Sequence, residues 1–194
     1  MRATLRFAAL TLCLIAFGAD MATSQDRPVP AHRRDTFNVN EIILAGHQFF
    51  GSVSRGLALV VQNAFSKFGE PNGYVLGQEG SGAFVVGLRY GDGTLYTRNA
   101  GDRRVFWEGP SVGFDYGGEG ARTMMLVYKL PATDAIYQRF AGIDGSAYFI
   151  GGFGMTALTA NNIVVVPIRS GVGLRLGANI GYLKFTPRAT WNPF

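Results

Sequence analysis

Between Gly73 and Leu130, short runs of alternating apolar and polar residues are separated at even intervals by glycine-rich turns. This pattern is typical of antiparallel strands that fold back on one another. The predicted turns are Gly91-Asp92-Gly93, Ala100-Gly101-Asp102, Gly109-Pro110 and Gly117-Gly118-Glu119-Gly120. Gly109-Pro110 is expected to end its strand, because proline cannot donate to a strand ladder. Strands are also predicted over Phe84 to Tyr90, Val112 to Tyr116 and Arg122 to Leu130, of which the last is the most apolar.

The period of the apolar residues changes from two to about 3.6 between Asn38 and Phe68. The apolar positions there are Val39, Ile42, Ile43, Gly46, Phe50, Val53, Leu57, Val60, Val61, Ala64 and Phe68. This spacing predicts one helix, or two helices broken near Gly51-Ser52, with Asn38 or Asn40 as the N-cap. The apolar stripe is expected to pack on the sheet or to plug one end of a barrel. A helix on a membrane surface would carry more Lys and Arg on its polar face.

Beyond Leu130, the pattern predicts a short helix that starts near Thr133 and ends at Gly142. Four further strands are predicted over Ser146 to Phe153, Met155 to Ala160, Ile163 to Arg169 and Val172 to Phe185. Asn161-Asn162 fits a two-residue turn between two of them. The predicted fold is therefore mainly β with an N-terminal helical segment, arranged as a small antiparallel β-barrel of about ten strands.

The N-terminus has the pattern of a secretory signal peptide. Arg2 and Arg6 precede an apolar run over residues 7–18, and small residues precede a cleavage site expected after Ser24. An uncleaved anchor is the alternative, but the apolar run falls short of the roughly 20 residues that span a bilayer. We expect residues 1–24 to be removed, residues 25–37 to form a flexible leader, and residues 38–194 to form one domain in the periplasm.

The cysteine content and the net charge restrict how the chain can be stabilised and what it can bind. The single cysteine, Cys13, lies in the predicted signal peptide, so the remaining chain is expected to fold as a monomer on its hydrophobic core without disulfides. The formal net charge is only +5, and no run of basic residues is long enough to predict nucleic-acid binding.

The residues that catalysis needs are sparse. The chain has His32 and His47, no cysteine outside the predicted signal peptide, and neither a Gly-x-Ser-x-Gly nor a His-x-x-x-His motif. Gly152 to Ala157 fits a dinucleotide-binding pattern, but strand-like residues follow where a helix would be needed. We therefore predict a protein that is not an enzyme and that uses no metal and no cofactor.

A binding site is predicted where cationic and aromatic side chains lie close together on adjacent strands. Arg98, Arg103, Arg104 and Trp107 form this group, with Tyr96 and Phe106 between them. A cation beside aromatic rings suits an anionic amphiphile or a glycan. The alternative is that Arg103 and Arg104 are solvated turn residues and that Trp107 fills the barrel.

Three strings also carry a resemblance to a known family. GYVLGQEGSGAF, LRYGDGTLYTRNAGDRRVFWEGPSVGFDYGG and MMLVYKLP are similar to strings of the alphaproteobacterial envelope integrity protein A family, and the resemblance runs from about Asn38 to the C-terminus. It implies a small, soluble, periplasmic β-barrel that supports envelope integrity. The partner implied is an envelope component, either lipid, polysaccharide or protein, with peripheral membrane contact as a further expectation. Glycine and tryptophan spacing also resembles, more distantly, that of SYLF lipid-binding domains.

An integral outer-membrane barrel is the last alternative, because the chain has a predicted signal sequence and ends in Phe194. The predicted strands are shorter than the roughly 9–11 residues that a spanning strand needs. Pro193 also interrupts the last strand, whereas such barrels keep the alternation of apolar and polar residues.

Overall fold

Two helices and ten strands make up the regular structure of the described residues. The structure is a computed structural model that describes residues 35–52, 54–82, 87–111, 121–143, 146–170, 181–190 and 192. Several predicted features lie outside the described residues. They are the signal peptide, most of the leader, the strand over Val112 to Tyr116 with the turn after it, and residues 172–180 of the strand predicted from Val172 to Phe185.

The helical segment is broken into two helices, α1 (Val39–Phe50) and α2 (Arg55–Phe68). Asn38 begins α1, because its side-chain oxygen accepts hydrogen bonds from the backbone N–H groups of Asn40 and Glu41, at 3.0 and 3.1 Å. The Glu41 carboxylate accepts in return from the Asn38 backbone N–H at 2.8 Å, which completes a capping box. Gly51 ends α1 with a φ of 76°, a left-handed conformation that favours glycine. The two-helix alternative is therefore correct.

The strands are all antiparallel to their neighbours. Their bounds are β1 (Gly73–Gly82), β2 (Gly87–Thr97), β3 (Arg103–Ser111), β4 (Ala121–Tyr128), β5 (Arg139–Gly142), β6 (Tyr148–Ile150), β7 (Phe153–Met155), β8 (Leu158–Ala160), β9 (Ile163–Ser170) and β10 (Tyr182–Thr186). A 3-10 helix over Thr133–Ile136 connects β4 to β5.

Eight of these strands close into a barrel. Their order is β4-β1-β2-β3-β10-β5-β8-β9, and pairing of β4 with β9 closes the ring. The hairpin of β6 and β7 extends from β9 outside this ring. The prediction of a mainly β, antiparallel barrel of about ten strands with helices before it is confirmed, with the refinement that two of the ten strands lie outside the closed ring.

One cluster of buried apolar side chains packs inside the barrel. Its members are Val75, Leu95, Val105, Trp107, Met125, Val127, Leu130, Ile136, Phe140, Leu158, Ile163, Val165, Leu183 and Phe185. Ile136 comes from the 3-10 helix, so this short helix covers one end of the barrel. Burial of a large apolar side chain stabilises a fold by about 1.5–3 kcal/mol, which makes this cluster a main source of stability.

A second buried cluster joins the helices to the outer face of the sheet. Ile42 of α1 and Val60 of α2 are fully buried in it with Met124 of β4 and Val166 of β9. The apolar stripe thus packs on the sheet, and the alternative of a helix that plugs the barrel is wrong. In the described ranges, no helix is long and apolar enough to cross a membrane.

The predicted turn at Gly91-Asp92-Gly93 is wrong, because β2 continues through it from Gly87 to Thr97. A Cβ atom at Gly91 would overlap the indole ring of Trp107, which lies opposite it in the β2–β3 register. Glycine is therefore needed here to make room for a large core side chain, rather than to turn the chain. The turn predicted at Ala100-Gly101-Asp102 does connect β2 to β3, with Gly101 at a φ of 76°.

Other boundaries also differ from the predictions. β3 continues through Pro110, which pairs with Leu88 of β2, whereas β10 pairs only with Phe106 to Glu108. Pro110 therefore lies beyond the part of β3 that pairs with β10. Its lack of an N–H group removes no hydrogen bond to β10.

The helix predicted to end at Gly142 is shorter in the structure. It is only the 3-10 helix, because Phe140 belongs to β5 and faces the barrel core. The predicted strand from Ser146 to Phe153 is split by a turn at Gly151-Gly152, whereas the predicted turn at Asn161-Asn162 is confirmed, with positive φ at both residues.

Gly91→Ala should lower the free energy of unfolding by about 3 kcal/mol, the upper part of the range for an overpacked core. The added methyl group would meet the Trp107 ring, which is only 1% exposed and has no room to move. Gly80→Ala in β1 is the matched control, because nothing lies within 4 Å of a Cβ atom built there. Urea denaturation measures both changes, and equal effects at the two glycines would contradict the packing argument.

Candidate functional site

A charged cluster lies at the end of the barrel interior away from the 3-10 helix. Glu79 of β1 shares a strand face with Val75, and Arg169 of β9 shares one with Val165, so both side chains face inward. The Arg169 Nη2 donates to Glu79 Oε2 at 3.1 Å, and the Arg89 Nη1 of β2 lies 3.6 Å from Glu79 Oε1. The side chains of Glu79, Arg89 and Arg169 are only 10%, 6% and 15% exposed.

The Trp107 indole completes this cluster, since its Nε1 donates to Glu79 Oε2 at 3.0 Å. Burial acts to raise the pKa of Glu79, but the charges of Arg169 and Arg89 and the hydrogen bonds from Trp107 and Arg169 outweigh it and hold the pKa below its ordinary value. Glu79 is therefore ionised at neutral pH. Its carboxylate ties together β1, β2, β3 and β9 at this end of the barrel.

Sequence reasoning missed this cluster because its members are far apart along the chain. Arg89 also donates from Nε and Nη2 to the carbonyl oxygen of Pro110, at 3.1 and 2.7 Å. The sequence did contain one signal, which is the alternation of side chains between the two faces of a strand. Glu79 lies four residues after Val75, and Arg89 lies six residues before Leu95, so each charged residue is on the same strand face as a core residue. This alternation places each charge on the core face, but it does not show that the charges meet.

The predicted binding residues do not form one group. Arg98 lies in the turn after β2, where its Nη2 contacts Glu41 Oε1 of α1 at 2.6 Å and its guanidinium lies 4.5 Å from the Phe37 ring centre. Trp107 is in the barrel core, as the alternative interpretation of this residue had it. Two of the four predicted residues therefore belong to a helix contact and to the interior.

Arg103 and Arg104 are neighbours on β3 whose side chains point to opposite faces of the sheet. Arg103 Nη2 lies 3.3 Å from Thr133 Oγ1 and 3.6 Å from Asp134 Oδ1, both in the 3-10 helix. Arg104 pairs with Asp92 of β2 on the outer face. The two side chains are 49% and 64% exposed, so both are accessible from solvent.

A surface cleft lies where the 3-10 helix meets the turn between β8 and β9. Its volume is about 330 Å³, and Asp134, Ala135, Tyr137, Gln138 and Asn161 line it with Pro131 and Ile163. The Asn161 Nδ2 donates to Gln138 Oε1 at 2.7 Å, and the Gln138 Nε2 donates to the Ala135 carbonyl at 2.6 Å. The Tyr137 hydroxyl donates to the Arg104 carbonyl at 3.2 Å, which attaches the cleft to β3.

The electrostatics of the cleft follow from its charged neighbours. Burial raises the pKa of Tyr137, Asp134 raises it further, and Arg103 acts in the opposite direction. The hydroxyl is therefore protonated at neutral pH and remains a donor. Arg103 is the predicted binding residue whose side chain lies beside this cleft, because it forms an ion pair with Asp134.

The described residues offer little for catalysis or metal binding. His47 Nε2 lies 3.2 Å from the Ser54 carbonyl oxygen at the junction of the helices, where it has a structural role. In the parts of the chain that the structure describes, no three His, Cys, Asp or Glu side chains come together in a way that could hold a metal ion.

These features define a small, closed antiparallel β-barrel with a filled interior and two helices packed on its outer face. The family model described as Envelope integrity protein A matches residues 35–194. The chain therefore belongs to the envelope integrity protein A family, as its sequence strings indicate, and this membership supports a role in envelope integrity.

A solved structure agrees with this assignment. The crystal structure of a β-barrel-like, uncharacterised protein from Brucella abortus is 58% identical to this chain, with a TM-score of 0.78. The match covers 82% of this chain and 99% of that one. A comparison with curated proteins gave no match.

Proposed function

We propose that this protein is a monomeric, non-enzymatic periplasmic protein that supports envelope integrity by binding an envelope component on its outer surface. The observation that carries the proposal is the filled barrel interior. Apolar side chains occupy one end, and Glu79 with its two arginines occupies the other. Small-molecule carriers need a cavity, so recognition by this barrel falls to the surface.

The exposed ion pairs around β3 are the part of that surface where the sequence also predicts a binding site. Arg103 with Asp134 and Arg104 with Asp92 place charged groups in water on both faces of β3. Side chains in this state are available for contact with a partner, because exposed ion pairs contribute only about 0–1 kcal/mol to folding and are readily exchanged.

An anionic lipid surface is less well supported as the partner. Arg98, Arg103 and Arg104 each lie against a carboxylate, from Glu41, Asp134 and Asp92 respectively. These carboxylates offset the positive charge that would attract an anionic headgroup.

An integral outer-membrane barrel is also less well supported than surface binding by a periplasmic protein, because α1 and α2 cover the outer face of β4 and β9.

Arg103→Glu combined with Arg104→Glu should reduce the tolerance of the host bacterium to detergent to that of a strain lacking the gene. The charge reversal opposes Asp134 and Asp92 and changes the surface that the partner meets. The measurement is growth on a detergent gradient after chromosomal replacement. Fractionation of the same strains should place the protein in the periplasm. N-terminal sequencing of that protein should begin at Gln25.

Arg55→Glu combined with Lys67→Glu is the control, because it changes the net charge equally at two exposed positions on α2, which packs on β4 and β9 rather than on β3. Thermal unfolding and protein level must match the wild type for both double variants. If the Arg103 and Arg104 variant is folded and tolerance is unchanged, the surface around β3 is not where the partner binds.

A further inference from the structure

The chemistry of the cleft beside the 3-10 helix identifies a class of ligand. We infer that the cleft of Asp134, Tyr137, Gln138 and Asn161 binds an uncharged saccharide unit of an envelope glycan. The inference rests on the proposed function, because it names the envelope component that the surface recognises. The cleft has a volume of about 330 Å³ and is open to solvent, so one sugar ring of a longer glycan can lie against its wall.

The polar groups of the cleft match those of a sugar. Each sugar hydroxyl both donates and accepts, and the carboxamides of Gln138 and Asn161 offer both functions, while the Asp134 carboxylate accepts. Gln138 and Asn161 are already oriented by their mutual hydrogen bond of 2.7 Å, so less ordering is needed on binding. The half-buried ring of Tyr137 offers an apolar face against which the C–H groups of a sugar ring can pack.

The same groups disfavour the other ligands that an envelope offers. A phosphate or a carboxylate would approach the Asp134 carboxylate, and the nearby Arg103 guanidinium already pairs with that acid at 3.6 Å. Like charges placed together oppose binding. An acyl chain needs an enclosed apolar site, whereas this cleft is a surface feature with an acid, two amides and a phenol in its walls.

The test is a titration of the isotope-labelled protein by NMR, with two saccharides and one membrane probe. The saccharides are an N-acetylglucosamine tetramer, which stands for the glycan strand of the cell wall, and the polysaccharide released by mild acid from the lipopolysaccharide of the host. The membrane probe is a vesicle that contains phosphatidylglycerol. One of the saccharides should shift the amide signals of Gln138 and Asn161, and the saccharide that does so identifies the source of the ligand.

Two variants locate the binding. Asn161→Gly keeps the positive φ of 45° that the turn requires and removes the side-chain amide, and Asp134→Asn removes the charge. Asn161→Gly should weaken saccharide binding about tenfold, the order expected for one well-placed hydrogen bond. Asp134→Asn should weaken it by less, because the asparagine oxygen still accepts but lacks the charge that strengthens the bond. Glu70→Gln is the matched control, because it also removes the charge of an exposed carboxylate that accepts a side-chain hydrogen bond, but outside the cleft and outside the β3 surface.

The inference is overturned by any of three results. These are the absence of saccharide-dependent shifts up to about 10 mM, a concentration that covers very weak sites, equal weakening by Glu70→Gln, and binding to the vesicles alone. A negative titration together with detergent sensitivity in the Arg103 and Arg104 variant would reject the saccharide and keep the surface-binding function. Saccharide binding with normal detergent tolerance in that variant would keep the site and reject the role assigned to the β3 surface.

Discussion

Val60→Asp should leave most of the protein unfolded at room temperature. Val60 is fully buried between α2 and the sheet, in a cluster that consists of apolar side chains. A carboxylate placed there without a partner costs several kcal/mol, which is a large part of the roughly 5–15 kcal/mol that stabilises a typical domain. Circular dichroism and thermal unfolding measure the effect.

Gln62→Asp is the control, because Gln62 is exposed on the same helix and receives the same new charge. This variant should melt within a few degrees of the wild type. An unchanged melting temperature for Val60→Asp would mean that α2 does not pack on β4 and β9 in solution.

Glu79→Gln should lower the free energy of unfolding by about 3–5 kcal/mol, the cost of removing one partner from a buried ion pair. The amide cannot neutralise the guanidinium of Arg169 at 3.1 Å or that of Arg89 at 3.6 Å. Glu41→Gln is the control, because Glu41 also pairs with an arginine but is 41% exposed, and glutamine still serves in the capping box. Its cost should stay below about 1 kcal/mol.

The effect of Glu79 should also depend on pH. The pKa of Glu79 in the folded protein lies below its ordinary value of 4.5. The stabilisation from its ionised form is therefore complete above the unfolded pKa and is lost as the pH falls through the folded pKa. Urea denaturation of wild type and Glu79→Gln should show a difference that is constant near neutral pH and shrinks in acid. A difference that stays the same from neutral pH to well below pH 4 would show that the charge of Glu79 is not what stabilises the barrel.

Features that depend on near neighbours in the chain could be predicted from the sequence. The Asn38 cap, the buried stripe that contains Val60, and the Asn161-Asn162 turn are set by residues within a few positions of one another. Each of these predictions is confirmed, because the local backbone determines the hydrogen bonds and the exposed face.

Features that depend on distant packing could not be predicted in this way. Gly91 and Pro110 have the local properties of a turn and a strand end, but both lie within strands. The reason is tertiary, since the Trp107 ring occupies the space at Gly91 and β10 pairs with β3 only as far as Glu108. Strand boundaries therefore depended on neighbours that only the closed barrel brings together.

The candidate site shows the same limit. Arg103 was predicted as a binding residue from its neighbours on β3, and the structure does place it beside a cleft. Two other groups of that cleft, Tyr137 and Asn161, come from the end cap of the 3-10 helix and from a turn, both far from β3 in the sequence. No local pattern connects these residues, so a charge pattern could point to the region but not to its chemistry.

The position of β10 bears on how the chain must be made. β10 is the last of the described strands along the chain, and it lies between β3 and β5. A product truncated before Tyr182 would leave one side of each of those strands with unpaired backbone N–H and C=O groups. Such sides readily pair with other chains, so premature termination should give aggregates rather than a smaller barrel. The nascent polypeptide therefore remains open to such pairing until β10 has been made.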